Sequence, residues 1–199
     1  KIKSSNLLIY LDDVQFSRTG WTHRDKIKIL DNYSWLTVPI EKKNNYYQLI
    51  KDVQIKDSHD LPKIHLSLIK NAYRKSKNFD HVFPDLETIY NKKFKFLIKI
   101  NIEIIDLFCN ILDIKKKTLF SSEYNLETKS SERLIGLLEV NNSKRYITGE
   151  PSKSYIDVDL FKKKEIEIIW HELDEKEYIK KQSKFDRNLS TLDFLMNKK

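Results

Sequence analysis

The chain has 199 residues, of which 40% are hydrophobic and 33% charged, and this composition predicts one soluble globular domain rather than a disordered chain. A single cysteine excludes an intramolecular disulfide and a thiolate metal cluster, and no apolar run approaches the ~20 residues of a membrane-spanning helix. The formal net charge of +8 fits either a solvated lysine-rich surface or binding of an anion, such as nucleic acid, anionic lipid or a phosphorylated metabolite.

Short apolar runs predict the strands of the first third of the chain. Residues 6–11 form such a run that ends at two aspartates, which is typical of a fully buried strand in a parallel sheet. A central strand is an unusual start for a protein, and we expect that further residues precede it. Residues 33–40 predict a second strand, whose pairing Pro39 ends or which Pro39 holds at a sheet edge, and residues 50–55 predict a short half-exposed strand.

The hydrophobic period changes from two to 3.6 at about residue 61, which predicts a group of helices. The first has Pro62 in its first turn, the second begins near Pro84, and the third, over residues 94–112, is predicted as the central buried helix.

The last third alternates again between strands and helices. Predicted strands cover residues 117–120, 145–149 and 166–170, and predicted helices open at residue 130, at residue 159 and at residue 189. Strands separated by helices predict a mostly parallel α/β sheet flanked by helices, with an inserted helical group at about residues 61–113. We expect a single domain over residues 1–199.

Ligands of parallel sheets bind at the carboxyl ends of the strands, and the first predicted strand ends in Asp12 and Asp13. One of these carboxylates is a candidate to orient a hydroxyl, hold magnesium or act as a base, and the alternative is that it caps a turn. The loop that follows contains aromatic and basic residues, which suit phosphate or carboxylate binding. Its candidate ligand-binding residues are Gln15, Arg18, Trp21, His23 and Arg24.

A second candidate lies after the predicted strand at residues 145–149. Gly149 lets a backbone approach a ligand, and Thr148 and Tyr155 flank the turn, although the segment matches neither a dinucleotide fingerprint nor a P-loop. Ser131 and Arg133 open a helix between the two regions, where a serine also suits ordinary helix capping.

Other chemistry finds little support in the sequence. His59, His65 and His81 lack the spacing of a zinc site, and Cys109 falls in the predicted buried helix, where a thiol is inert. The aromatic residues do not form the pattern of an RNA-binding sheet, so we expect no nucleic-acid partner.

Taken in order, the segments around these candidates resemble the WbqC-like protein family. The resemblance is carried by residues 11–16, 21–24, 35–40, 130–135, 146–149 and 189–195, together with His65, Tyr73, Phe83, Pro84, Asn101 and Tyr155. Two features depart from the family pattern: its opening Pro-Trp-Leu-Gly-Tyr-Phe segment is absent, which predicts a missing N-terminal strand and loop, and its Tyr-Pro-Gln segment is matched loosely by Tyr178 and Gln182. His23 stands where many members have asparagine.

The resemblance implies a role in bacterial surface-polysaccharide or O-antigen biosynthesis, with glycine (aminoacyl) transfer suggested for one branch. The order of elements also resembles a Rossmann-like architecture that binds nucleotides. We therefore hypothesise a cytoplasmic aminoacyl or acyl transferase that acts on a nucleotide-linked amino sugar, without a bound metal. The alternative is a non-catalytic protein that binds a nucleotide-sugar or assists assembly.

In this hypothesis the residues fall into two roles. The catalytic candidates are Asp12, Asp13 and His23. The substrate-binding candidates are Gln15, Arg18, Trp21, Arg24, Ser131, Arg133, Thr148, Gly149 and Tyr155.

Overall fold

A computed structural model describes residues 1–30, 32–41, 47–56, 60–172 and 189–198. The chain divides into two compact units. Unit 1 comprises Lys1–Asp12 and Lys116–Glu175, and unit 2 comprises Asp13–Lys115 and Lys176–Lys199. The single domain over residues 1–199 stays a prediction.

The described residues form a mixed α/β structure. The strands are β1 (Leu7–Tyr10), β2 (Arg24–Ile29), β3 (Asn32–Thr37), β4 (Lys117–Phe120), β5 (Arg145–Gly149) and β6 (Glu167–His171). The helices are α1 (Leu61–Tyr73), α2 (Phe79–Tyr90), α3 (Leu97–Ile111), α4 (Ser130–Val140), α5 (Val158–Lys163) and α6 (Thr191–Asn197).

Unit 1 contains two parallel strand pairs, β1 with β4 and β5 with β6. Leu7 is opposite Lys117 in the first pair, and Thr148 is opposite Trp170 in the second. Helices α4 and α5 bury Ile135 and Phe161 in the apolar core of this unit. The parallel pairing in unit 1 agrees with the parallel strands that the sequence predicts. The described strands form three separate pairs, so a continuous Rossmann-like sheet stays a prediction.

Unit 2 combines the antiparallel hairpin β2–β3 with helices α1, α2, α3 and α6. Side chains alternate along the hairpin, so Ile27 and Leu36 enter the core while their neighbours face outward. Leu97 from α3 and Met196 from α6 are fully buried in the same core.

Several sequence-based element predictions are wrong in detail. Strand β1 is partly buried rather than fully buried. Residues 50–55 form a 3-10 turn at Ile50–Asp52 and isolated bridges rather than a strand. Helix α2 begins at Phe79, with Pro84 inside it. Helix α3 buries fully only Leu97 and Ile100, so it is not a helix buried on all sides.

Among the described residues, no helix is both long enough and apolar enough to cross a bilayer.

Candidate functional site

The carboxylate of Asp12 lies at the carboxyl end of β1 and is 5% exposed. It accepts hydrogen bonds from the backbone N–H of Ser122 at 2.9 Å, from the Ser122 hydroxyl at 2.7 Å and from the Ser121 hydroxyl at 3.2 Å. Both serines begin the 3-10 turn Ser121–Tyr124, which follows the neighbouring parallel strand β4. Asp12 therefore ties the end of β1 to the turn after β4, and its predicted catalytic role stays a prediction.

A chain of three hydroxyl groups lies at the carboxyl end of β5. Thr148 Oγ1 donates to Ser152 Oγ at 2.6 Å, and Ser152 Oγ lies 2.9 Å from the hydroxyl of Tyr155. Thr148 and Ser152 are buried, whereas Tyr155 is 63% exposed. Either hydroxyl of the Ser152–Tyr155 pair can donate, and when Ser152 donates the Tyr155 proton is available to a further acceptor.

Basic and aromatic groups accompany this hydroxyl chain. The ammonium of Lys153 lies 5.3 Å from the ring centre of Trp170, the residue opposite Thr148, and also pairs with Glu150 at 2.6 Å. Burial and the neighbouring Tyr155 raise the pKa of Tyr146, so this phenol is neutral at physiological pH.

The predicted need for glycine at position 149 is not seen in its backbone. Gly149 has a φ of −120°, which is ordinary extended backbone. An added Cβ would lie 3.3 Å from the Lys1 ammonium, the movable end of a long side chain.

Ser131 and Arg133 hold neighbouring segments of unit 1. Ser131 Oγ accepts the backbone N–H of Asp157 at 2.9 Å, which fixes the segment after Tyr155, and it does not cap α4. The capping expectation is therefore wrong. The guanidinium of Arg133 donates to the carbonyl of Leu126 and is largely buried.

The remaining candidates lie in unit 2, in the segment from Asp13 to Arg24. Gln15 forms an isolated bridge with Leu49, and both Gln15 and Arg18 are exposed. His23 Nδ1 is buried and has no hydrogen-bond partner among the described residues. Burial, followed by the adjacent Arg24, lowers the pKa of His23 and keeps its imidazole neutral.

Arg24 organises its own loop. Its guanidinium donates to the carbonyls of Thr19 at 2.9 Å and Gly20 at 3.3 Å, and it lies 4.6 Å from the ring centre of Trp35. The Trp21 and Trp35 rings are 5.0 Å apart. Trp21 and Arg24 thus lie together, although the guanidinium already has partners within the loop.

Sequence reasoning missed Ser121, Ser122 and Ser152, which contact the predicted residues directly. A signal exists for the first two, because a Ser-Ser pair directly follows the strand predicted at residues 117–120. The pairing of β4 with β1, which brings these serines to Asp12, is not visible in the sequence. His59, Tyr178 and Gln182 lie outside the described residues. Within the described part of the chain, no three His, Cys, Asp or Glu side chains form a group that could hold a metal.

The comparisons with known proteins confirm the family resemblance seen in the sequence. The WbqC-like protein family model matches residues 1–199, the whole chain. The chain is 28% identical over 191 residues to a protein of Mycobacterium tuberculosis (strain ATCC 25618 / H37Rv) named "Uncharacterized protein Rv1507c", a match that covers 95% of this chain and 82% of the relative. No solved structure gives a significant match. On the family match over its full length, the chain belongs to the WbqC-like protein family.

Proposed function

We propose that the protein is an enzyme of bacterial surface-polysaccharide (O-antigen) biosynthesis that transfers an acyl or aminoacyl group, such as glycyl, to the amine of a nucleotide-linked amino sugar. The observation that carries the proposal is the hydroxyl chain of Thr148, Ser152 and Tyr155 at the carboxyl end of a parallel strand. Membership of the WbqC-like family supports the pathway. A Rossmann-like sheet and a cytoplasmic location are part of the same proposal.

The chemistry around the hydroxyl chain suits a phosphorylated sugar. Tyr155 is largely exposed, and its hydroxyl can donate to a phosphate or sugar oxygen when it accepts from Ser152, which Thr148 orients. Lys153 supplies a positive charge beside the Trp170 ring. Its ion pair with Glu150 is half exposed and weak, so a phosphate can compete for the ammonium.

The proposed reaction balances without a metal or a redox partner. The sugar amine attacks the carbonyl carbon of an activated acyl donor, a thioester or an aminoacyl ester, and a C–N bond forms. The bond between that carbon and the sulfur or oxygen of the donor breaks, and the leaving group departs with the electron pair and takes the proton that the amine loses.

One observation favours the alternative, a non-catalytic protein that binds the nucleotide-sugar. The carboxylate of Asp12 already accepts three hydrogen bonds, which orients it as a structural group rather than as a base. The two functions share the binding step and differ in turnover.

The first test is calorimetric titration of the protein with a uridine-diphosphate-linked amino sugar. The second is mass spectrometry of that sugar after incubation with the protein and an acyl donor, either acetyl-coenzyme A or a glycyl ester. We expect binding that Tyr155→Phe weakens roughly tenfold, as expected for a lost hydrogen bond to a charged group. Tyr124→Phe is the matched control, because the Tyr124 hydroxyl donates to Asn141 in the same unit.

A gain in sugar mass equal to one acyl group supports the transferase. Binding without a mass change supports the alternative. Equal affinities of the wild type, Tyr155→Phe and Tyr124→Phe would overturn the assignment of the site, and absence of binding would overturn both functions.

A further inference from the structure

We infer that the β2–β3 hairpin binds the surface of an anionic phospholipid bilayer. The docking face is defined by the outward residues of this hairpin, together with Trp21 before it and Leu30 after β2: Trp21, Arg24, Lys26, Lys28, Leu30, Tyr33 and Trp35. The inference concerns a surface that is separate from the sugar-binding proposal, and its test does not depend on that proposal.

The register of the hairpin gathers positive charge on the docking face. Arg24, Lys26 and Lys28 alternate along β2, and Lys26 and Lys28 are opposite Trp35 and Tyr33. Side chains two residues apart share a face, so the three cations lie on one side. Asp25 alternates to the other side, where it hydrogen-bonds to Ser190. The docking face therefore favours an anionic partner.

Large apolar side chains of the docking face are exposed. Leu30 in the turn is 88% exposed, and Tyr33 and Trp21 are each 51% exposed. Leu30 has a φ of 55°, a backbone conformation that favours glycine or asparagine. The exposed Leu30 side chain is available to insert into a lipid surface beside the cations of the hairpin.

The aromatic rings are already engaged by cations of the hairpin. The ring centre of Trp35 lies 4.6 Å from the Arg24 guanidinium and 5.1 Å from the Lys26 ammonium, and Trp21 approaches it at 5.0 Å. Binding of single-stranded nucleic acid uses free ring faces on which bases stack. Binding to a bilayer does not require free ring faces, because tryptophan, tyrosine and lysine side chains lie together at the level of the lipid headgroups.

The experiment is flotation of the full chain with vesicles of phosphatidylglycerol and phosphatidylcholine, compared with vesicles of phosphatidylcholine alone. The Trp170→Phe background removes the third tryptophan of the chain and leaves Trp21 and Trp35 as reporters. We expect binding to the anionic vesicles, a blue shift of the fluorescence and quenching by brominated lipid.

Two variants and their controls test the contributions of charge and apolar surface. Lys26→Gln with Lys28→Gln should weaken the partition roughly 25-fold, at about fivefold per lysine. Leu30→Asn, which suits the left-handed turn, should weaken it roughly tenfold. The controls are Lys63→Gln with Lys70→Gln and Ile64→Gln, which change exposed residues of α1 in the same unit, and circular dichroism verifies folding.

Retained binding in the controls with loss in the hairpin variants supports the inference. Equal loss in both pairs of lysine variants would show a nonspecific charge effect and overturn it. Absence of vesicle binding, or fluorescence changes with single-stranded RNA and not with lipid, would also overturn it.

Discussion

Acidification tests the buried histidine of unit 2. His65 is 3% exposed, with Nε2 at 3.1 Å from the carbonyl oxygen of Thr37 and Nδ1 at 2.9 Å from the hydroxyl of Tyr90. A carbonyl only accepts, so Nε2 carries the proton and Nδ1 accepts from Tyr90. A second proton on Nδ1 would break the hydrogen bond to Tyr90. Burial accordingly lowers the pKa of His65 to about 4 from 6.5.

The sign of the effect follows from proton binding in the two states. Between pH 6.5 and 4 the unfolded chain binds a proton at residue 65 and the folded chain does not, so the free energy of unfolding falls as the pH falls through this window. The stabilisation is fully present above pH 6.5. Integrating between pH 7.5 and 4.5 gives a loss of about 2–3 kcal/mol from this residue alone.

The measurement is urea unfolding, monitored by circular dichroism at several pH values, of the wild type and of His65→Gln. Asp25 and Asp106, whose pKa values are raised by burial, contribute in the opposite direction, and His23 contributes in the same direction as His65. These contributions are the same in the wild type and in His65→Gln, so they cancel when the free energies of unfolding of the two proteins are subtracted at each pH. An equal pH dependence in wild type and His65→Gln would refute the reasoning.

Three further predictions concern named contacts. Asp12→Ala should lower the free energy of unfolding by about 3 kcal/mol, since it removes three hydrogen bonds to a buried carboxylate, whereas the exposed carboxylate control Glu139→Ala should cost less than about 1 kcal/mol in the same urea titration. Arg24→Lys keeps the charge but loses the guanidinium fork, so it should cost about 1 kcal/mol and change the tryptophan emission, and a spectrum identical to the wild type would contradict its role in the loop. Phe161→Ala should cost about 3–5 kcal/mol and speed hydrogen exchange in α4 and α5, and unchanged exchange would show that its burial does not hold these helices.

Local patterns predicted the regular elements of unit 1 well. The bounds of β4 and β5 and the first residue of α4 agree with the sequence, because short apolar strands flanked by polar turns alternate there with one amphipathic helix. Helix α1 also begins as predicted, with Pro62 in its first turn.

The errors arose where tertiary contacts decide the structure. Strand β2 was missed because Arg24–Ile29 is rich in charge, and only its pairing with β3 turns the cations to one face and Ile27 to the core. Pro84 was placed at a helix start, although α2 accommodates it in its interior. The candidate site also depends on a tertiary contact. The position of Asp12 directly after a strand marks it as a candidate, but its serine partners lie 109 and 110 residues further along the chain, so the sequence does not reveal the contact.

The two units are interlaced along the chain, and this has a consequence for their synthesis. During synthesis strand β1 emerges before its partner β4, which follows only after the whole segment Asp13–Lys115 of unit 2. The core of unit 2 is incomplete without α6, because Leu195 and Met196 of this helix are buried in that core, at 1% and 0% exposed. Unit 1 is formed only after its second segment is made and unit 2 only after α6 is made, and closing such long loops slows folding. A nascent chain therefore exposes apolar surface until these later segments are made, and no continuous fragment consists of one unit alone.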